Sequence, residues 1–326
     1  MNRGPLPLRY VLTRVGGTLV LLFVLSVAVF ALLRIAPGDP ARTLLGQRGA
    51  TPQALAAVRA RYHLDSPFAA QYLHWLGGVL HLDLGTSIRT GAPVSATIGG
   101  RLALTGQLVG LGLAVALLLG IPGGILTALR RYRATDRAVQ TAGLVALSTP
   151  AFAGGLVLIY LFSLMLRWFP AYGPGQGGGD RLHHLVLPAV TLALSVTAVL
   201  LKLTRAAVIR ELAKEHVVFA RARGVPERRI LVDYVLRGAL VPVLTGVGLV
   251  VAYLLAGTVL VEQVFALPGL GSLLVESVTY RDVPLVQAEA LFIATLVVLA
   301  GLVTDLAQPL IDPRLRPART GKGNAR

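Results

Sequence analysis

The chain has 326 residues, of which 55% are hydrophobic and only 14% are charged, and its mean hydropathy is +0.71. This composition is too apolar for a water-soluble domain of that length and indicates a membrane protein. The net charge of +16 does not indicate a nucleic-acid partner, because the basic residues lie between apolar runs, and the lack of cysteine excludes disulfides, thiol nucleophiles and Cys-ligated metals.

The first apolar run, residues 15–33, contains no charged residue and is long enough to cross a bilayer core of roughly 30 Å. It is longer than the apolar part of a signal peptide, and no small-residue cleavage site follows it, so we predict a retained span whose amino end is cytoplasmic. A Pro- and Gly-rich stretch begins after Arg34. The mixed segment that continues to about Thr97 is predicted to be a small folded extracytoplasmic insertion.

Five further apolar runs follow, and together with the first they predict six transmembrane helices. The runs are residues 102–129, 138–166 (interrupted by Pro150), 185–201, 238–261 and 287–310. Of the 31 basic residues, 21 then lie on one side, and 7 of the other 10 lie in the long segment 34–101, where charge has less influence on orientation. The charge bias therefore predicts that both termini are cytoplasmic.

A charged island at residues 205–242 separates two nearly charge-free runs. Apolar residues recur within it at helical spacing, and the pattern breaks at Gly224, Val225 and Pro226. Gly ends helices and Pro suits the first turn of the next helix, so we predict two short helices joined by a tight corner. From the pattern alone, a solvated loop that merely follows the charge bias of cytoplasmic segments is the alternative.

The sequence predicts no catalytic, cofactor or metal site. The Gly-rich stretch 173–179 is followed by Asp180 and lacks the Lys and Ser or Thr of a phosphate-binding loop, so a flexible outer loop is the better interpretation. The six histidines lack the spacing of a zinc helix, and Ser148 and Ser163 have no neighbouring base.

Carboxylates are scarce in the predicted spans. Glu289 and Asp305 bracket the last span near its ends, where we expect both to reach the interface. The mid-membrane ionisable residues of an ion-driven carrier are thus missing, and energy for transport is expected to come from another subunit. An ion-coupled secondary transporter that acts without ATPase subunits remains the alternative.

Nine short motifs occur in a fixed order along the chain. They are APGDP at 36–40, DLGTS at 83–87, LSTPAF at 147–152, LPA at 187–189, FARARG at 219–224, LRGALVP at 236–242, LPGLG at 267–271, RDVP at 281–284 and DPRLR at 312–316. In this joint order the chain resembles, over nearly its whole length, the permease subunits of bacterial ATP-binding-cassette (ABC) importers in the dipeptide and oligopeptide branch.

The resemblance implies an all-α polytopic membrane protein with the six helices of the type I ABC importer permease fold. Residues 1–95 would form the first helix and the extracytoplasmic insertion, residues 96–310 the five-helix core with a coupling loop at 205–242, and residues 311–326 a basic cytoplasmic tail. The implied protein is a multi-pass permease of the bacterial inner membrane that carries peptides or a similar small solute and is not itself an enzyme.

The resemblance also implies partners. They are a second homologous permease, two ABC ATPase subunits and an extracytoplasmic substrate-binding protein, in addition to the lipid bilayer. No cofactor or nucleic acid is implied, and the substrate could be a dipeptide, oligopeptide, nickel chelate, glutathione or sugar.

By the same resemblance, the island is the coupling loop that docks on an ATPase. The residues implied in this contact are Glu215, Phe219, Ala220, Arg221, Arg223, Gly224, Pro226, Glu227 and Arg228. Phe219 and Ala220 would face a groove of the ATPase and the arginines would form a polar rim. Gly224 would allow the corner, and Pro226 would stiffen the segment after it.

Overall fold

The computed structural model describes residues 8–35, 51–61 and 66–311 of the protein. In these ranges the chain is almost entirely helical, with a single isolated β-bridge between Thr86 and Pro93. The helices are α1 (Leu8–Ile35), α2 (Pro52–Arg61), α3 (Phe68–Leu80), α4 (Val94–Leu129), α5 (Ala134–Ser148), α6 (Ala151–Met165), α7 (Gly178–Leu212), α8 (Glu215–Ala222), α9 (Glu227–Val264), α10 (Leu270–Thr279) and α11 (Val283–Ile311). The motifs at 36–40 and 312–316 and the basic tail lie outside the described residues.

Five of these helices, α1, α4, α7, α9 and α11, are long and apolar enough to cross a membrane, as predicted. The structure corrects one expectation about the charged island. Its first helix, α8, is short, but its second is the beginning of α9, a helix of 38 residues that passes through a π-helical segment at Ile230–Leu236. Helical backbone therefore continues from the corner into the membrane without a loop.

The run 138–166 was predicted as one span, and the structure divides it into α5 and α6, whose axes meet at 108°. Thr149, between them, has an extended backbone with φ −85° and ψ 120°. Proline lacks an amide proton, and its ring disfavours helical geometry at the residue before it, so Pro150 ends α5. Each half has 15 residues or about 22 Å of helix, which is too short to cross alone.

The packing of α4 on α7 shows that α5 and α6 together make one crossing. Gly112 of α4 lies against Leu192 of α7, and Gly124, twelve residues later, lies against Thr204, also twelve residues later. Residue numbers increase together along both helices, so the helices are parallel. The segment between two parallel spans must return across the membrane, so α5 and α6 add one crossing to the other five, which makes six among the described residues.

The helices α1 and α11 are antiparallel, and the start of α1 lies beside the end of α11. The Tyr10 hydroxyl of α1 donates to the Asp305 carbonyl of α11 at 2.9 Å, and Arg14 forms an ion pair with the Asp305 carboxylate at 3.0 Å. We call this end of the bundle, which also carries the loop 130–133 and α8, the basic end. The opposite end carries the segments 81–93, 166–177 and 265–282.

Two carboxylates are buried more deeply than the sequence predicts. Glu289 was expected to reach the interface, and Glu262 directly follows the predicted span 238–261, yet both are 0% exposed. The reason is α10, which packs against both α9 and α11 at the opposite end and buries Leu270, Leu273 and Ser277. Asp305, by contrast, is partly exposed and ion-paired, in keeping with the expectation.

Candidate functional site

The helix α8 has one buried and one exposed face at the basic end. Val217 and Ala220 are 0% and 5% exposed and belong to an apolar cluster that also contains Ile230 of α9. Val218 and Phe219, on the other face, are 55% and 66% exposed. The buried face fixes α8 to the bundle, and the exposed face presents an aromatic side chain to the surroundings.

The corner after α8 is a Schellman motif. Gly224 has φ +75°, the left-handed conformation that glycine adopts without steric cost. Its amide donates to the Arg221 carbonyl at 3.0 Å, and the Val225 amide donates to the Ala220 carbonyl at 3.1 Å. Both bonds satisfy carbonyls that the helix end would leave free, which gives the corner one defined shape.

An ion pair joins the two sides of the corner. Arg221 Nε lies 2.5 Å from one oxygen of the Glu227 carboxylate, and Nη2 lies 3.0 Å from the other. The hydrogen bond and the charge of Glu227 raise the pKa of the Arg221 guanidinium above its ordinary value. The pair is exposed, so it orients the corner but contributes little to stability.

The N-terminal end of α8 is held by Glu211 at the end of α7. Glu211 is 7% exposed, and its carboxylate accepts a hydrogen bond from Lys214 Nζ at 2.6 Å. A Cβ atom added at Gly238 of α9 would overlap this carboxylate. Glycine at 238 therefore allows α9 to pack directly against Glu211.

A second anchor of the basic end was not identified from the sequence. Asp136 of α5 is 4% exposed, and its two oxygens accept hydrogen bonds from Arg205 Nε and Nη2 of α7 at 3.0 and 2.9 Å. It also accepts the Tyr132 amide proton at 3.0 Å. The two partners are 69 residues apart, and the only sequence signal was one acid among several arginines at the start of an apolar run.

Most residues of the predicted contact lie together on the surface of α8 and its corner. Glu215 begins α8, Pro226 precedes the first turn of α9, and Arg223 and Arg228 are exposed. Ala220 differs from the expectation that it faces a partner, because its side chain packs inside this chain. The helical period brings Val218 to the exposed side beside Phe219 instead.

At the opposite end, Asp282 joins two of the sequence motifs. The carboxylate is 2% exposed and accepts hydrogen bonds from the Ser87 hydroxyl at 2.5 Å and from the Ile88 amide at 3.2 Å. The DLGTS and RDVP motifs, about 195 residues apart, therefore form one buried polar contact. We call this contact the outer clamp.

Glu262 stabilises the start of α10 beside the outer clamp. Its two oxygens accept hydrogen bonds from the Thr105 hydroxyl at 2.7 Å and from the Ser272 amide at 2.9 Å, so a carboxylate meets the positive end of the helix. A side chain at Gly269 would overlap this carboxylate, and one at Gly271 would lie 2.5 Å from the Val259 backbone. The glycines of the LPGLG motif are thus required by close packing.

An anionic group lies directly against the Gly-rich stretch 173–179. Asp180, the residue after this stretch, accepts the Gln176 amide proton at 2.7 Å and lies 3.4 Å from His184. The Gln176 amide is therefore paired with a carboxylate of the chain itself. That the stretch is not a phosphate-binding loop stays a prediction.

Known proteins resemble this chain over most of its length. Residues 120–317 match the family described as binding-protein-dependent transport system inner membrane component, and residues 7–109 match the N-terminal region of such components. The probable peptide ABC transporter permease protein y4tP of Sinorhizobium fredii is 37% identical over 310 residues, 94% of this chain and 99% of that protein. The glutathione transport system permease protein GsiC of Escherichia coli O6:H1 is 38% identical over 309 residues, 95% of this chain and 99% of that protein.

The fold has a match among solved structures. A chain of the MetNI methionine ABC transporter in an inward-facing conformation aligns with a TM-score of 0.52 and 17% identity, covering 66% of this chain and 95% of that chain. At this identity the likeness concerns the fold alone.

Proposed function

Because the chain belongs to the family of binding-protein-dependent transport system inner membrane components, it is the permease subunit of an ABC importer, and we propose that α8 and its corner are its contact with the ATPase subunits. The exposed Phe219 on a helix with a packed opposite face is the observation that carries this proposal. Aromatic side chains that enter a partner's pocket supply much of the energy of an interface, while the surrounding polar residues exclude water.

In the proposed mechanism, closure of the ATPase subunits on ATP moves α8, and α8 moves α7 and α9. The Schellman corner, the Arg221–Glu227 ion pair and the buried Ala220 support this transmission because each limits local bending. The membrane path formed with a second permease would then open alternately to either side. The chain itself hydrolyses no ATP.

We further propose that the basic end is cytoplasmic and that the protein lies in the bacterial inner membrane. The excess of basic residues at this end supports the orientation. Cysteine substitutions test it, since the chain has no cysteine of its own. In intact cells an impermeant thiol reagent should label Gln176→Cys at the opposite end and leave Arg228→Cys unlabelled, and the reverse pattern would overturn the orientation.

For the substrate, we propose a peptide or a peptide-like solute. The relatives named as peptide and glutathione permeases support this class. A separate binding protein would deliver the solute to the opposite end, where the outer clamp and α10 offer a rigid surface. Calorimetry on the binding protein that co-purifies with the complex identifies the ligand.

The docking proposal is tested with Phe219→Asp, which places a charge on the exposed face without changing the buried one. We expect the ATPase subunits to be lost on co-purification, because removing an aromatic anchor costs about 2 kcal/mol, or about 30-fold in affinity. Tyr132→Asp is the matched control, since Tyr132 is also exposed at the basic end, at 70%, and lies outside α8. Equal ATPase binding by both variants would contradict the proposal.

None of the comparisons supports the ion-coupled alternative. Solute uptake into vesicles that contain the reconstituted protein distinguishes an ABC importer from a secondary transporter. An importer takes up solute only when ATP and the ATPase subunits are present, whereas a secondary transporter takes up solute when an ion gradient alone is imposed.

A further inference from the structure

An aromatic face joins α3, in the predicted extracytoplasmic insertion, to the membrane-spanning α1. The Tyr72 hydroxyl lies 2.7 Å from the Ser26 hydroxyl, and both residues are buried. The ring of Phe30 lies 5.4 Å from those of Phe68 and Trp75 and 5.6 Å from that of Tyr72. Aromatic pairs at these separations stabilise a packed arrangement, so α3 is attached to α1 along its length.

These contacts lie at the depth of the bilayer core. The charge-free part of α1 is bounded by Arg14 and Arg34, and its midpoint is residue 24. At 1.5 Å per residue, Ser26 lies about 3 Å from this midpoint and Phe30 about 9 Å, while the hydrocarbon boundary is about 15 Å away. Tyr72 and Trp75, which touch these residues, lie inside the boundary.

The other side of α3 is suited to lipid. Leu73 and Leu80 are 64% and 74% exposed, the helix contains no Asp, Glu, Lys or Arg, and the exposed His74 is neutral in one of its protonation states. Its buried Gln71 side chain donates to the Ser66 carbonyl at 2.9 Å. The side of α1 that α3 does not cover is apolar as well and includes Val24, which is 53% exposed at the midpoint of the charge-free run. Helical backbone satisfies its own hydrogen bonds, as hydrocarbon requires.

We propose that α3 is embedded in one leaflet of the membrane, at the end opposite the basic end, with Leu73 and Leu80 against lipid acyl chains. The segment 34–97 is then not a wholly aqueous insertion, because α3 enters the bilayer beside α1 and the chain returns to the surface near His81. The proposal requires that α1 spans the membrane but is independent of the ATPase contact.

Tryptophan fluorescence tests this placement, because the chain has two tryptophans. Trp168→Phe leaves Trp75 as the reporter, and Trp75→Phe leaves Trp168, which is 59% exposed in the loop after α6. The assembled importer, with the tryptophans of its partner subunits replaced by phenylalanine, is placed in nanodiscs of phosphatidylcholine with or without bromine on the acyl chains. We expect the acyl bromines to reduce Trp75 emission more than aqueous iodide does, and iodide to reduce Trp168 emission more than Trp75 emission.

Two outcomes overturn the proposal. Stronger quenching of Trp75 by iodide places α3 in water, and protection from both quenchers places it against another protein subunit. A second measurement uses Leu73→Cys, which we expect to react with a water-soluble maleimide only after the bilayer is dissolved in denaturing detergent. Gln176→Cys is the control that reacts before and after, and prompt labelling of both positions would also overturn the proposal.

Discussion

Two regions of the molecule, α8 with its corner and the outer clamp with the start of α10, handle their charged residues in opposite ways, although buried carboxylates also anchor the basic end beneath α8, at Asp136 and Glu211. At the basic end, the Arg221–Glu227 pair and the aromatic Phe219 are exposed. At the opposite end, Asp282 and Glu262 are 2% and 0% exposed and hold loops together through hydrogen bonds. Exposed charges cost little to rearrange, whereas buried ones fix the groups around them. The difference fits the proposed ATPase contact at α8, where a partner would move, and a fixed framework around the outer clamp.

The largest expected effect comes from Asp282→Ala, which removes the buried carboxylate of the outer clamp. The Ser87 hydroxyl and the Ile88 amide would lose their acceptor, and we expect a loss of about 3 kcal/mol in the free energy of unfolding. Thermal unfolding in detergent measures it. Asp233→Ala at the basic end is the matched control, because Asp233 is exposed and its ion pair with Arg229 is long, at 3.4 Å. Equal destabilisation by both substitutions would remove the distinction between the ends.

An intermediate effect is expected from Gly224→Val at the corner. A β-branched residue in the left-handed conformation costs roughly 1–2 kcal/mol, so the corner should change shape while the buried helices persist. We expect normal membrane insertion but weaker substrate-stimulated ATP hydrolysis by the reconstituted complex.

Gly224→Asn is the control for this position, because asparagine tolerates the left-handed conformation. It should retain most of the stimulation. Unchanged uptake and ATP hydrolysis in the valine variant would mean that the shape of the corner is unimportant for coupling.

The smallest expected effect comes from Arg221→Gln, which removes an exposed ion pair. We expect only a small loss of stability, which disappears at high salt because exposed charges are screened. Thermal unfolding at low and high ionic strength measures it. A loss as large as that of Asp282→Ala would show that the exposed corner, like the outer clamp, depends on its charges for stability.

Local sequence signals predicted much of this structure. Charge-free runs identified the spans. The uneven distribution of arginine and lysine along the chain distinguished the basic end from the opposite end. Gly224 with Pro226 marked the corner. These features depend on residues close together in the chain, where conformational preference and hydropathy are sufficient.

Features that depend on distant residues were not predicted. The burial of Glu262 and Glu289 follows from α10, whose path across the end of the bundle has no local signature. The pairing of Asp136 with Arg205 requires that α5 and α7 be neighbours. Pro150 indicated a break, but not its angle, and helical spacing did not reveal which side of α8 would be buried.

The continuity of α9 has a consequence for how the two ends communicate. Glu227 at the corner and Glu262 at the start of α10 belong to one helix and lie about 53 Å apart along its axis. A tilt of about 5° would displace one end relative to the other by about 5 Å, roughly one helical turn. If an ATPase rotates the corner as proposed, the helix would act as a lever arm, because no loop separates the corner from Glu262, the residue that holds the start of α10.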